Sequence, residues 1–128
     1  MDHKIKTFED ACNAGGYDPT ILPDVSMLPE KFRKHQVAQY KLMIITEAIN
    51  EKRLPNWNDR SEWKYFPWMQ VEADEQRPSG FGFSRTAYDY TYTRTYVGSR
   101  LCVFTAEHAL YLGTQFADLY KDLFLADN

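Results

Sequence analysis

The longest regular pattern in the chain is a run of apolar residues at helical spacing. Two adjacent stripes lie along this run, and their members are Val37, Tyr40, Ile44 and Ala48, then Ala38, Leu42, Ile45 and Ile49. Proline tolerates the first turn of a helix and stops one further along, so the predicted helix begins at Pro29 and ends near Arg53, before Leu54-Pro55. A face this wide predicts cover on two sides, by the sheet plus another helix or by a second subunit.

Two further helices are predicted near the ends of the chain. Thr7 and Asp10 have the spacing of a capping box, and Gly15-Gly16 marks the end of a short first helix. Thr105 predicts the start of a final helix. The face of that final helix that is expected to lie in the core consists of Ala109, Leu112, Phe116, Leu119 and Leu123.

Residues 56–104 have the character of strands and turns. Strands are predicted over 64–71, 81–84, 88–96 and 101–104, and Pro67 limits the first to an edge or a bulge because proline lacks the N–H that a ladder needs. The sequence therefore predicts a single α+β domain over 1–128. Its small antiparallel sheet of three to four strands packs against a long central helix and a C-terminal helix, with a short N-terminal helix beside them.

Composition fits a globular protein but is rich in aromatic residues. Of 128 residues, 44% are hydrophobic, 26% are charged and 16% are aromatic, which supplies large rigid groups for a core and for a surface. The longest apolar run is far too short for a membrane span, and no apolar stretch follows the first lysines as in a secretory signal. We therefore expect a cytoplasmic protein that does not enter a membrane, with Cys12 and Cys102 as buried thiols.

Positive charge is concentrated in one stretch of an acidic chain. The formal net charge is −3, yet residues 77–104 carry four arginines against Asp89 alone, a local sum of +3. The net negative charge of the whole chain disfavours general nucleic-acid affinity and sequence-specific nucleic-acid binding. The arginine-rich stretch is therefore the place where an anionic or aromatic partner is expected.

Catalytic and metal signatures are poorly supported. His3, His35 and His108 are scattered, so the sequence predicts neither a metal site nor a cofactor. Cys102 lies in an apolar string, where burial raises a thiol pKa and makes the thiol inert. The segment with Gly80 and Gly82 does not contain the lysine that a phosphate-binding loop requires. A twisted or bulged strand explains the two glycines better. We therefore expect no enzyme activity and assign no catalytic residue.

One group of residues supports recognition of a partner or ligand. Its members are Arg85, Tyr88, Tyr90, Tyr92, Arg94, Tyr96 and Arg100. Aromatic rings on a strand can stack on bases or sugars, and arginine can bind phosphate or stack, which suits a nucleotide, single-stranded nucleic acid or glycan. The alternative is that these tyrosines pack in the core, as in any sheet that covers its own helices.

Several phrases together carry a family resemblance. They are YKL at 40–42, EAINE at 47–51, PNWN at 55–58, KYFPW at 64–68, VGSRLC at 97–102 and QFADLYKD at 115–122. From about Lys6 to Leu125 the chain resembles small uncharacterised proteins of Bacteroidetes and of their phages and prophages. The resemblance implies a phage or prophage setting. It implies no activity and transfers no functional residue.

The sequence thus favours a non-enzymatic binding protein of phage or prophage origin. Its expected partner is a host or phage protein or a small ligand, contacted through the arginine- and tyrosine-rich segment. The first alternative is a structural subunit, of a virion or of a homo-oligomer formed through the helix from Pro29 to Arg53. A small enzyme on phosphorylated or glycosidic substrates is the second alternative, and it requires a cleft with carboxylates or a histidine beside the arginines.

Overall fold

The computed structural model describes residues 3–73, 81–91 and 100–125, and these form an α+β fold. Its elements in chain order are α1 Phe8–Gly15, α2 Glu30–Ile49, β1 Lys64–Ala73, β2 Phe81–Thr91, α3 Ala106–Gln115 and α4 Ala117–Phe124. No helix within these described ranges is long and apolar enough to span a bilayer.

Local capping chemistry sets both ends of α1, as predicted. The Thr7 hydroxyl accepts a hydrogen bond from the Asp10 N–H at 3.1 Å, and the Asp10 carboxylate accepts one from the Thr7 N–H at 3.2 Å. The helix ends at Gly16, whose φ of 79° lies in the left-handed region that glycine adopts at low cost. The capping box and the glycine stop are therefore confirmed.

The long helix α2 begins where the sequence predicts but ends earlier. Pro29 precedes its first residue, whereas the last helical residue is Ile49 and not one near Arg53. The chain leaves the helix because Glu51 and Lys52 adopt positive φ angles of 52° and 67°. Neither residue is a glycine, so this sharp exit is held by its surroundings and not by local preference.

Part of the wide apolar face of α2 is covered by two helices of the same chain, α1 and α4. Its buried residues are Ala38, Leu42, Ile44, Ile45 and Thr46. Polar contacts also tie α4 to the helix, since Lys34 Nζ lies 3.2 Å from Asp122 Oδ1 and the His35 ring contacts the Asp122 carbonyl. Contacts within the chain thus cover part of this face without a second subunit.

The predicted C-terminal helix is two helices. Thr105 caps α3 as expected, with its hydroxyl accepting from the His108 N–H at 3.1 Å. At Phe116 the backbone leaves helical geometry, with φ −111° and ψ 29°, and the ring is buried. Placing this ring in the core separates α3 from α4, a break that the apolar spacing did not indicate.

The sheet in the described part of the chain has two antiparallel strands, and not the three to four predicted. Its register runs from Lys64 opposite Thr91 to Ala73 opposite Phe81, with an irregularity between Gln70 and Val71. The strands predicted over 81–84 and 88–96 are one strand as far as Thr91. The predicted strand over 101–104 contributes a single bridge between Val103 and Tyr65, with both N···O distances 2.8 Å.

Both strands contact α3, whereas the sequence analysis expected the sheet to pack against the long central helix. The core therefore has α2 between α1 and α4, with the sheet joined through α3. Cys12 and Cys102 are both buried within this molecule, as predicted. Burial, followed by the charges of Glu9 and Asp18, raises the pKa of Cys12.

Candidate binding site

The loop between α2 and β1 is shaped by short-range side-chain hydrogen bonds. Asn56 Oδ1 accepts from the Asn58 N–H at 3.0 Å, and Asp59 Oδ1 accepts from the Ser61 N–H at 2.9 Å and from its hydroxyl at 2.6 Å. The bonds from Ser61 lower the pKa of Asp59. Asparagine and aspartate favour such turns because their side-chain oxygen accepts a hydrogen bond from the backbone N–H two residues ahead, as a backbone carbonyl does in a turn.

A buried lysine holds this loop against the start of the sheet. Lys64 is fully buried, and its ammonium donates to the carbonyls of Asn56 at 2.8 Å and Asp59 at 3.1 Å. It also lies 3.5 Å from Glu62 Oε1 and 5.0 Å from the centre of the Trp57 ring. The buried charge is therefore fully engaged, which is the condition under which a protein tolerates it.

Glu62 completes the contact from the loop side. Its two oxygens accept from the Asn56 N–H and from Arg53 Nη2, each at 2.8 Å. Burial raises the pKa of Glu62, but these hydrogen bonds and the charge of Lys64 outweigh it, so the pKa lies below its usual value. We call Lys64, Glu62 and Arg53 the ionic clasp. It fixes the backbone on both sides of Trp63.

Four aromatic side chains form a surface beside the clasp: Trp63, Tyr65, Tyr88 and Tyr90. Trp63 and Tyr90 have ring centres 4.4 Å apart, while the Tyr65 ring lies 5.9 Å from Tyr88 and 6.1 Å from Tyr90. Trp63 is 38% exposed, Tyr88 41% and Tyr90 48%. We call this group the aromatic surface.

Strand register explains why these rings share one face. Tyr65 lies opposite Tyr90, and Tyr88 follows at a spacing of two along β2. The residues of β1 on either side of Tyr65 are Lys64 and Phe66, and both are buried. Tyr88 and Tyr90 therefore share one face of β2, and both are exposed, as is Asp89 between them.

The predicted site residues are only partly brought together. Tyr88 and Tyr90 are neighbours in the aromatic surface, whereas Arg100 borders a groove beside α2 that neither tyrosine lines. Arg85 pairs with Gln70 through the backbone of β2, and its side chain lies outside the described part. Tyr92, Arg94 and Tyr96 also lie outside the described residues.

Sequence reasoning missed two members of the aromatic surface, Trp63 and Tyr65. Tyr65 could have been found, because it stands two residues after Trp63 on a predicted strand and the same alternation applies to both. Their meeting with Tyr88 and Tyr90 depends on the register of β1 with β2, which no local pattern specifies.

Histidines and acidic groups do not gather into a metal centre within the described ranges, where no three potential ligands converge. His3 stacks on Tyr111 with ring centres 3.6 Å apart, and its ring centre lies 6.0 Å from that of His108. Burial and the nearby His3 lower the pKa of His108. These contacts hold the start of the chain on α3.

Comparisons of the chain with protein-family models, with curated proteins and with solved structures found no match.

Proposed function

We propose that this is a non-enzymatic binding protein that contacts a partner protein through the aromatic surface. The observation that carries the proposal is the exposure of Tyr88 and Tyr90 on β2, beside the exposed ring of Trp63. Tyrosine and tryptophan are enriched at protein interfaces because each provides a large apolar body with a polar end.

Rigid support makes the surface suited to binding. Tyr65 and Tyr90 are cross-strand partners, and the ionic clasp fixes the loop that ends at Trp63. Side chains that are already ordered lose little conformational freedom when a partner covers them. A cluster of anchored aromatic residues is also the usual composition of an interface hot spot.

Ring geometry favours a protein partner over a stacked base or sugar. The planes of Trp63 and Tyr90 are inclined by 50°, those of Tyr65 and Tyr88 by 57°, and those of Tyr65 and Tyr90 by 52°, whereas Trp63 and Tyr65 are nearer to parallel at 24°. Inclined rings leave an irregular surface that matches side chains, whereas stacking on successive bases uses flat, open ring faces. The acidic net charge of −3 supports the same choice.

The setting that we propose is the cytoplasm of a bacterial host, with virion association as the alternative. Its support is the resemblance to small proteins of Bacteroidetes and their phages, and the partner is then a host or phage protein. Assembly through α2 has less support, because α1 and α4 cover part of the wide face of that helix.

The test is capture of the partner from the native host by the purified protein and by Tyr88→Ala/Tyr90→Ala. Losing two anchoring tyrosines at an interface weakens binding by roughly 10- to 100-fold, so we expect the partner band to be lost. Phe32→Ala is the matched control, since Phe32 is exposed to the same 48% as Tyr90 but lies on α2.

Thermal melts of the three proteins accompany the capture, so that loss of folding is separated from loss of contact. If the double variant melts like the parent and retains the same partner at the same level, the aromatic surface is not the contact site.

A further inference from the structure

A second concave site lies beside α2, away from the aromatic surface. It is a groove of about 340 Å³, bordered by the turn after α1, the C-terminal half of α2 and Arg100. Ligand pockets in proteins usually enclose roughly 300–1,000 Å³. The groove, which we call the Arg100 groove, therefore has room for one small organic molecule.

Two guanidinium groups border the Arg100 groove. Arg53 is held in place, since Nη2 donates to Glu62 Oε2 at 2.8 Å and its guanidinium carbon lies 3.8 Å from the centre of the Phe104 ring. Arg100 is exposed and forms no ion pair with any residue in 3–73, 81–91 or 100–125. Guanidinium groups bind carboxylate and phosphate oxygens strongly, which indicates an anionic ligand.

Hydrogen-bond acceptors border the same space. The Tyr17 hydroxyl donates to Glu47 Oε1 at 2.7 Å, and this bond with the charge of Glu47 raises the pKa of Tyr17. Asn50 donates through Nδ2 to the Cys102 carbonyl at 2.8 Å, and its buried Oδ1 has no partner in the described part of the chain. The Glu47 carboxylate on this border indicates a ligand that carries hydroxyl or amino donors.

The remaining walls are aromatic and apolar. Tyr17 and Tyr40 contribute rings, and Met43, Ile44 and Leu54 contribute apolar side chains. Gly15 makes room for the Tyr17 ring, because a Cβ at this position would lie 2.5 Å from that ring. A planar or apolar ligand body is therefore matched by these walls.

From this combination we propose that the Arg100 groove binds a nucleoside monophosphate. The phosphate lies against Arg100 and Arg53, the ribose hydroxyls or base amino group donate to Glu47, and the base contacts the tyrosine rings. Arg53 is already paired with Glu62, so Arg100 is the cation that favours a small anion at this groove although the whole chain is acidic.

Isothermal titration of the full chain with AMP, GMP, CMP and UMP tests the proposal. We expect at least one mononucleotide to bind, and Arg100→Ala to weaken that binding by about tenfold or more, as expected for loss of a charged hydrogen-bond donor. Arg60→Ala is the matched control, because Arg60 is also exposed but lies outside the groove. It should leave the affinity unchanged.

Further probes decide the ligand class and the independence of the site. The matching nucleoside and inorganic phosphate should each bind more weakly than the mononucleotide. Binding of phenylalanine in preference to every mononucleotide would overturn the class, and equal affinity in Arg100→Ala would overturn the site. Tyr88→Ala/Tyr90→Ala should bind the nucleotide like the parent protein, and loss of nucleotide binding in that variant would also overturn the location.

Discussion

At the scale of single residues, Lys64 shows how the chain accommodates a charge in its interior. Two carbonyl oxygens and the Glu62 carboxylate surround its ammonium, so the buried charge is compensated by polar partners. Such an arrangement is costly to break from one side, because the partner carboxylate keeps its charge and loses its compensation.

We expect Lys64→Met to lower the free energy of unfolding by about 3 kcal/mol, the lower end of the range for removing one partner of a buried ion pair. The lower end applies because Arg53 still contacts Glu62. Urea denaturation measures the change. Lys4→Met is the control, since Lys4 is exposed and its replacement should change stability by no more than about 0.5 kcal/mol. A loss of less than about 1 kcal/mol in Lys64→Met would show that the clasp contributes little.

Single-residue chemistry was predictable where it is local. Thr7, Thr105 and Gly16 act within one turn of their own positions, so their roles follow from the sequence. The burial of Lys64 was not predictable, because its acceptors come from a loop folded back onto β1. Exposure of Tyr88 and Tyr90 was left open for a related reason: alternation places both on one face but does not say which face is covered.

At the scale of elements, the end of α2 is the clearest departure from the apolar pattern. Stripes of hydrophobic residues extend to Ile49, and nothing after them forbids another turn before Leu54-Pro55. The helix nevertheless ends at Ile49, with Asn50 anchored to Cys102 and with Glu51 and Lys52 in the left-handed region. This exit gives Asn50 and Arg53 their places beside the Arg100 groove.

Lys52→Gly should stabilise the protein by about 0.5–1 kcal/mol. Glycine removes a left-handed backbone penalty of roughly 1–2 kcal/mol, and the greater freedom of the unfolded chain offsets part of that gain. Gln36→Gly is the control of opposite sign, because Gln36 is an exposed residue inside α2 and glycine there costs about 1 kcal/mol. Thermal or urea unfolding measures both, and a destabilised Lys52→Gly would contradict this account of the turn.

Element packing could be predicted only in part. The sequence correctly indicates an α+β protein with a long, widely apolar helix, because periodicity reports how much of an element is covered. It does not report what covers it. The partners of α2 are α1 and α4, and the sheet joins α3, since Val103 bridges to Tyr65 just before α3 begins. The helix break at Phe116 likewise depends on where one ring fits in the core.

At the scale of the whole molecule, one segment connects the two proposed sites. Asn50 and Arg53 border the Arg100 groove, Arg53 contacts Glu62, and Glu62 contacts Lys64, which precedes Tyr65 of the aromatic surface. The sequence analysis placed all binding residues in one arginine- and tyrosine-rich segment. In the structure Arg100 borders a groove that neither Tyr88 nor Tyr90 lines, and our two proposals therefore concern different surfaces.

The central claim is that the aromatic surface contacts a partner protein, and site-specific photo-crosslinking tests it most directly. A benzophenone amino acid is placed at Tyr90 in one variant and at Phe32, equally exposed on α2, in another, and each is irradiated in the native host. The account predicts one discrete, partner-sized adduct from position 90 and none from position 32. The same adducts from both positions, or an adduct from position 32 alone, would contradict it.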